Sequence, residues 1–205
     1  MKSRILLASI LFVSLLLSGC AKDKPEIIAS PEGWSSYSTV GKAQLSLPAN
    51  TYNPEELKKD TSDTKIEFQY FEPLDEKAPK IIALSMTPQL WLKGLLVFFD
   101  VTDDCFQSGF TSSYKKSLTS AIIAKDHPDA KITWKRDSAT KINDRETLRL
   151  EGTMTSSKLP KPLTHEHYIW KENGDIFVAV FLYDPAQVPS PKGKIQLIMK
   201  SIAHP

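Results

Sequence analysis

One stretch near the end of the chain constrains the fold more than any other, because residues 175–184 read as a strand that is apolar on both sides. Successive side chains of a strand point to opposite faces, and here neither set is polar. The Asn173-Gly174 pair before it predicts a tight hairpin turn, since both turn positions need positive φ. Such a strand needs layers above and below it, so we expect it inside a layered domain.

Periodicity along the rest of the chain predicts further strands and two helices. Alternating or continuous apolar runs predict strands over residues 43–47, 66–70, 80–86, 131–135, 146–154 and 166–171. Helical spacing predicts one helix over 110–125 and a closing helix from Pro191, whereas residues 49–63 are expected to form a loop. We therefore expect an α+β fold, an α/β/α sandwich in which a mostly antiparallel sheet of about six or seven strands carries helices on both faces.

The chain begins with the pattern of a secretion signal. Two basic residues are followed by an apolar run over residues 5–17, which is too short to span a bilayer comfortably. Residues 17–20, Leu-Ser-Gly-Cys, then resemble a bacterial lipobox, which implies removal of the signal peptide 1–19 and attachment of acyl chains to Cys20. The alternative is an ordinary signal peptide that a cysteine follows by chance.

The processed chain divides into a tether and one domain. Residues 20–40 are polar and contain prolines and a glycine, so we expect a lipidated tether, with Trp34 and Tyr37 marking the point where it docks on the domain. Residues 41–205 have the size of a single domain. Ala21 follows the cysteine, and by the sorting rule of Gram-negative lipoproteins it implies the outer membrane, facing the periplasm.

Charge and cysteine content exclude some classes of partner and of chemistry. The chain has 26 basic and 24 acidic side chains, and two basic residues leave with the leader, so the processed chain carries no net charge. No basic field remains to attract nucleic acid. Once Cys20 is lipidated, Cys105 has no intramolecular partner for a disulfide, and the neighbouring Asp103 and Asp104 favour a buried, inert thiol over a reactive one.

Two histidines one residue apart form the best candidate for a metal site. His165 and His167 are expected on one face of a strand with Glu166 on the other, and two neutral imidazoles can bind zinc or copper. No cluster of cysteine or histidine supplies a third and fourth ligand, so an exposed polar strand face is the favoured interpretation. No set of nucleophile, base and orienting residue is present either, so we expect neither an enzyme nor a bound cofactor.

The densely apolar residues 88–107 are the best candidate for a partner-binding surface. Trp91, Leu95, Phe98 and Phe99 concentrate large apolar side chains in a stretch about half as long as a membrane span. Burial in the core is one interpretation, and an exposed patch or groove lip that binds another protein is the other.

The order of these elements resembles that of the DcrB-like lipoproteins, within the wider PsbP-like group of α/β/α sandwiches. The resemblance covers roughly residues 40–203. It depends on the leader, on the opening strand at 41–48, on the helix after the third strand, and on the two hairpins at 143–144 and 173–174. It implies a non-enzymatic scaffold, in a group that includes envelope lipoproteins and chaperone-like adaptors, and no catalytic motif carries over. The segments 88–107 and 155–164 depart from the family pattern.

Three functions fit these features. The first is a non-catalytic, periplasm-facing envelope lipoprotein that binds another envelope protein or acts as an adaptor. The second is an immunity lipoprotein that neutralises a toxin delivered to the periplasm, and the third is a metal-binding envelope protein. In all three, the lipid on Cys20 is the contact with the membrane.

Overall fold

The computed structural model describes residues 31–59, 66–86, 127–188 and 191–205 of the chain. Within these ranges the elements are, in chain order, β1 Trp34–Ser38, the 3₁₀ turn Val40–Lys42, β2 Gln44–Pro48, β3 Tyr52–Pro54, β4 Lys58–Lys59, β5 Ile66–Pro73, β6 Lys80–Met86, β7 Lys131–Ile142, β8 Arg145–Thr155, β9 Leu163–Glu172, β10 Asp175–Tyr183 and α1 Pro191–Ser201. No helix in those ranges is long and apolar enough to cross a membrane.

The main sheet is antiparallel throughout and places the doubly apolar strand β10 at its centre. The strand order is β3-β5-β6-β10-β9-β8-β7, and β4 also pairs with β5. β10 pairs with β6 on one side and with β9 on the other, so Val178 lies between Leu84 and Ile169. β1 and β2 form a separate two-stranded hairpin. The interior position predicted for this strand is therefore confirmed.

Two hairpin turns set the register of strands β7 to β10. Asn173 and Gly174 have φ angles of 50° and 85°, and Asn143 and Asp144 have φ angles of 51° and 60°. All four values lie in the left-handed region, which glycine, asparagine and aspartate tolerate best. Both predicted hairpins are confirmed.

One face of the sheet, which we call the helix face, carries Phe177, Ala179 and Phe181 of β10. Buried apolar side chains from outside the main sheet complete this core: Val40, Ala43, Leu45, Leu47, Ile195, Ile198, Met199 and Ile202. Full burial of each large side chain contributes roughly 1.5–3 kcal/mol. These contacts hold the 3₁₀ turn, β2 and α1 against the sheet.

Gly41 lets the 3₁₀ turn approach the centre of the sheet. A Cβ atom at this position would lie 2.7 Å from Cε1 of Phe177, and the φ angle of Gly41 is 58°. The Gly41 amide donates a 2.6 Å hydrogen bond to Oε2 of Glu67 on β5. The backbone conformation and the contact distance therefore both require glycine.

The opposite face, which we call the histidine face because His165 and His167 lie on it, carries Ile176, Val178 and Val180 of β10. The other buried apolar residues of its core, within the part of the chain that the structure describes, also come from strands: Ile82, Leu148, Leu150 and Ile169. β10 is therefore buried on both faces, as its composition predicts.

The predicted α/β/α arrangement, with helices on both faces of a six- or seven-stranded sheet, is wrong. In the described ranges the main sheet has eight antiparallel strands and a single α-helix accompanies it, on the helix face. Strands β3 and β4 lie inside the predicted loop 49–63, where runs of three and two residues are too short to show a period of two. The helix predicted over 110–125 lies outside the described residues.

The second half of the chain shows one helix as predicted and one strand that is longer than predicted. α1 begins at Pro191, and Ile195 and Ile198 are buried on its inner side, which confirms the closing helix. β7 continues well beyond the predicted residues 131–135. The prediction ended early because a bulge at Lys135 shifts the register of β7 with β8 and interrupts the alternation of apolar and polar residues.

The first strand lies within residues 20–40, the predicted tether. Trp34 and Tyr37 of β1 are partly buried and pack against the core of the helix face. The leader and Cys20 lie outside the described residues, so the removal of residues 1–19 and the lipidation of Cys20 stay predictions.

Candidate functional site

An open cleft lies at one end of the main sheet, where four connecting segments meet. These segments are residues 74–79, 127–130, 156–162 and 184–188. The cavity has a volume of about 500 Å³, which is within the roughly 300–1,000 Å³ range of ligand-binding clefts. This end of the molecule therefore presents a concave surface that is supported by the strands of the sheet.

The floor of the cleft is aliphatic and belongs to the histidine face. Its residues come from four adjacent strands: Ile82, Leu182, Leu163 and Met154. Leu159 and Pro160 of the loop between β8 and β9 form one wall. Both wall residues fall in the proline-containing segment 155–164.

An ion pair closes one side of the mouth. Lys161 pairs with the Asp184 carboxylate, and the amide of Ala186 donates a 2.8 Å hydrogen bond to Oδ1 of Asp184. The contacts with Lys161 and with the Ala186 amide hold the pKa of Asp184 below its usual range. The carboxylate thus fixes both the turn after β10 and the loop that forms the cleft wall.

The other charged side chains of the mouth are also engaged. Nε2 of Gln187 donates to Oε2 of Glu76 at 3.4 Å, which bridges two of the four segments. Lys80 pairs with Glu72 of the neighbouring strand. Both lysines that line the cleft, Lys80 and Lys161, therefore have a carboxylate partner.

Another carboxylate fixes the segment before β7 against the loop 156–162. Asp129 accepts hydrogen bonds from Oγ of Ser156 and from the amide of Ser157, both at 2.6 Å. These bonds hold the pKa of Asp129 well below its usual range. His127, from the same segment, lines the cleft, and its Nδ1 atom is buried without a hydrogen-bond partner in the described part of the structure.

His165 and His167 lie beside the floor of the cleft and are fully buried. His165 is opposite Leu182 in the register of β9 and β10, and both histidines are 0% exposed. Nδ1 of His165 lies 2.7 Å from Nε2 of His167. The ring centroid of Trp134 lies 4.9 Å from that of His165 and 5.6 Å from that of His167. The predicted exposed polar strand face is wrong, because this side of β9 belongs to an apolar face and Trp134 packs against both rings.

The two histidines form one hydrogen bond and leave two ring nitrogens unmatched. Each neutral imidazole has one N–H and one lone pair, so one facing nitrogen donates and the other accepts. Nε2 of His165 and Nδ1 of His167 have no hydrogen-bond partner among the described residues. Burial lowers the pKa of His165 to about 4, and burial together with the neighbouring His165 lowers the pKa of His167 well below its usual value. Both rings are therefore neutral near pH 7.

The metal hypothesis for this pair gains no further ligand from the described ranges. Within them, no group of three or more histidine, cysteine, aspartate or glutamate side chains could hold an ion. The two ring centroids are 4.8 Å apart, so the facing nitrogens point at each other as in a direct hydrogen bond. A shared metal at about 2.0–2.1 Å from each nitrogen requires lone pairs that converge on one point. The role of His165 and His167 as metal ligands therefore stays a hypothesis.

Glu166, between the two histidines, points to the opposite face of the strand, as predicted; this is the helix face, and the side chain is fully buried there. Its Oε2 accepts hydrogen bonds from Nε and Nη2 of Arg149 at 3.0 and 2.7 Å and from the hydroxyl of Tyr168 at 2.9 Å. Its Oε1 accepts a 2.8 Å hydrogen bond from the hydroxyl of Tyr183. Arg149 also contacts Glu151 at 3.3 Å. This network joins β8, β9 and β10 behind the cleft.

The network is suited to stability rather than to proton transfer. Burial, and after it the Glu166 carboxylate, raises the pKa values of Tyr168 and Tyr183, so neither hydroxyl ionises near neutral pH. Arg149 neutralises the carboxylate, and both oxygens of Glu166 have partners. A buried charge with these contacts holds the three strands in one register.

Sequence reasoning brought His165 and His167 together correctly and missed the network and the cleft. Arg149 lies between two leucines on β8, and its charge inside an apolar strand was the one signal that could have suggested a buried carboxylate partner. The cleft is framed by loops, which have no period. The remaining candidates lie outside the described residues: Cys20, Trp91, Leu95, Phe98, Phe99 and Cys105.

The fold has counterparts among solved structures. The solution structure of cyanobacterial PsbP (CyanoP) from Synechocystis sp. PCC 6803 matches with a TM-score of 0.55 and 13% sequence identity, over 92% of this chain and 98% of that chain. At this identity the likeness shows the fold alone, and the PsbP-like fold is confirmed. PA94, a protein of unknown function from Pseudomonas aeruginosa, matches with a TM-score of 0.41 and 11% identity, over 84% of this chain and 97% of that chain. No family model and no curated protein matches the sequence.

Proposed function

We propose that the protein is a periplasm-facing lipoprotein of the outer membrane, anchored by acyl chains on Cys20, that binds another envelope protein as a non-catalytic adaptor. The leader and the lipobox support the anchor. The resemblance to DcrB-like lipoproteins supports a scaffold role, because the PsbP-like group consists mostly of non-enzymatic proteins.

The cleft is the observation that carries the binding role. It is concave, its floor is aliphatic, and both of its lysines are paired with carboxylates. Concave apolar surfaces with a polar rim are the places where proteins receive apolar groups of their partners. A site of this kind favours binding over the stabilisation of a charged transition state.

The anchor is tested by feeding cells a palmitate that carries an alkyne. We expect label on the wild-type protein and on Cys105→Ala, and no label on Cys20→Ala. Label that persists in Cys20→Ala would show that the proposed anchor is wrong. The Cys105→Ala variant is the matched control, because it removes the second cysteine of the processed chain.

Partner binding is tested by site-specific photo-crosslinking in living cells. A benzoylphenylalanine at Leu159, on the cleft wall, is expected to give one discrete adduct with an envelope protein. The same group at Lys171, exposed at the far end of β9, is the control and is expected to give none. Adducts at both positions, or at neither, count against the proposal. A captured toxin would favour the immunity alternative over an adaptor.

A further inference from the structure

The chemistry of the cleft limits the kind of group that fits it. The floor side chains Ile82, Leu163 and Leu182 are aliphatic, and the tyrosine that lines the cleft has its hydroxyl bound to Glu166 on the opposite face. The side chains that most often anchor protein interfaces are tryptophan, tyrosine and arginine, and aliphatic side chains such as leucine and valine are under-represented there. An aliphatic chain matches this floor better.

We propose that the cleft receives the acyl chain of a second lipoprotein, so that the partner in the proposed function is itself an acylated protein. The inference rests on the proposed function, because it names the class of partner for the same site. The proposed occupant is a protein-bound acyl chain. The experiment distinguishes it from two alternatives, a membrane phospholipid and an aliphatic side chain of a partner.

The mouth of the cleft favours a neutral group at the head of the acyl chain. A phosphate is bound best by free cations, and both lysines that line the cleft already pair with Glu72 and Asp184. The amide that joins an acyl chain to an N-terminal cysteine carries no charge, so it needs no free cation at the mouth.

The described chain begins near the end of the domain that carries the cleft. The carbonyl of Gly33 accepts a hydrogen bond from the amide of Ala49, and the carbonyl of Thr51 accepts one from the amide of Leu74, both at 2.9 Å. Leu74 begins a segment that frames the cleft and is 65% exposed. The described chain begins eleven residues after Cys20, a reach of at most about 40 Å. An acylated partner in the same membrane is therefore within reach of the cleft.

The test uses isolated membranes that contain the full chain and a synthetic N-palmitoyl cysteinyl peptide with a diazirine in its acyl chain. After illumination, we expect the labelled residues to fall in stretches that frame the cleft, 156–163 and 182–188. Two other probes are expected to leave these stretches unlabelled. One is the same peptide without palmitate and with the diazirine on a leucine side chain, and the other is a diazirine phosphatidylethanolamine.

A pair of leucine variants controls for labelling at exposed apolar positions. Leu159→Asp puts a carboxylate on the cleft wall and is expected to lower labelling roughly tenfold. Leu197→Asp, at a position that is 44% exposed on α1, is expected to leave labelling unchanged. Thermal unfolding shows whether each variant is folded, and Leu182→Gln replaces Leu159→Asp if that variant is not.

Equal labelling by the phospholipid or by the leucine peptide overturns the proposal, and so does labelling that the leucine variants do not distinguish. The proposed function fails separately, since it is lost if the crosslinker at Leu159 captures no protein in cells or if the crosslinker at Lys171 gives adducts as well. Capture of a partner that carries no acyl chain overturns this inference alone.

Discussion

Residues 165–167 of β9 carry buried polar side chains on both faces of the sheet, and the two faces differ in how completely these side chains are hydrogen-bonded. On the helix face, the Glu166 carboxylate accepts four hydrogen bonds, from Arg149 and two tyrosines. On the histidine face, His165 and His167 share one hydrogen bond and keep two ring nitrogens without a partner in the described structure. All three side chains are 0% exposed, so they differ in pairing and not in burial.

The contrast separates two ways of keeping a titratable group inside a protein. A buried carboxylate stays charged only where cations and hydrogen-bond donors replace its water, and the loss of one partner leaves a costly charge. A histidine can instead stay neutral, and its unmatched nitrogens are then polar atoms that folding does not require. The fully paired side fixes the register of three strands, and the incompletely paired side adjoins the cleft.

Neutralising Glu166 disrupts the fully paired side and is expected to have the largest effect on stability. Glu166→Gln leaves the Arg149 cation, whose side chain is 13% exposed, without its main carboxylate. We expect the free energy of unfolding, measured in urea, to fall by about 3–5 kcal/mol. Glu151→Gln removes the longer 3.3 Å contact of the same arginine and is expected to cost less than about 1 kcal/mol. Equal losses would contradict the central position of Glu166.

Acid is expected to weaken the histidine side. Each histidine of the unfolded chain binds a proton at the usual pKa of about 6.5, whereas burial keeps folded His165 neutral down to a pKa of about 4. The free energy of unfolding is therefore unaffected by this histidine above about pH 6.5 and decreases as the pH falls toward 4, by about 3 kcal/mol for His165.

A double variant, His165→Leu with His167→Leu, isolates this effect. It replaces both partners of the hydrogen bond by apolar side chains, and we expect urea unfolding at a series of pH values to show a flatter acid profile than the wild type. His204, whose pKa is lowered to about 4 by burial and by Arg145, is present in both proteins and cancels in the difference. Identical profiles would show that the folded pair does not resist protonation.

A smaller loss of stability is expected where the Glu166 carboxylate loses one hydrogen-bond donor and keeps its ion pair with Arg149. Tyr183→Phe removes the 2.8 Å hydrogen bond to Oε1 of Glu166, and we expect a loss of about 2 kcal/mol in urea unfolding. Tyr52→Phe is the matched control, since Tyr52 is also buried and its hydroxyl has no hydrogen-bond partner among the described residues. A similar loss in the control would assign the effect to packing.

The smallest effect is expected from crowding the histidine side. A Cβ atom at Gly152 would lie 2.7 Å from Nε2 of His165 and 3.0 Å from the carbonyl oxygen of Thr133. Gly152→Ala is expected to lower stability by roughly 1–2 kcal/mol in thermal unfolding. Gly193→Ala on α1, where nothing lies within 4 Å of the new atom, is expected to raise it by roughly 0.5–1 kcal/mol. A more stable Gly152→Ala would show that the imidazole is loosely packed.

Sequence reasoning succeeded where burial imposes a period or where a turn demands a particular residue. β10 is apolar at successive positions because both of its faces are covered, and this can be read without a structure. The turn at Asn173 and Gly174 and the spacing of Ile195 and Ile198 on α1 follow for the same kind of reason.

It failed where the outcome depends on neighbours that are distant in the chain. A polar residue in a strand was expected to face solvent, yet His165 is covered by Trp134 from β7, and Glu166 finds Arg149 on β8. The cleft has the same origin, because its four segments come from separate parts of the chain. The very short strands β3 and β4 carry too few residues to reveal a pattern.

The contrast within β9 is tested most directly by a nitrogen NMR titration of the His165 and His167 imidazoles in the folded protein. Near pH 6, we expect both rings to be neutral, with one proton shared between the facing nitrogens and a pKa of about 4 for His165. Imidazolium signals that appear with a pKa near the usual value of about 6.5 would contradict the account.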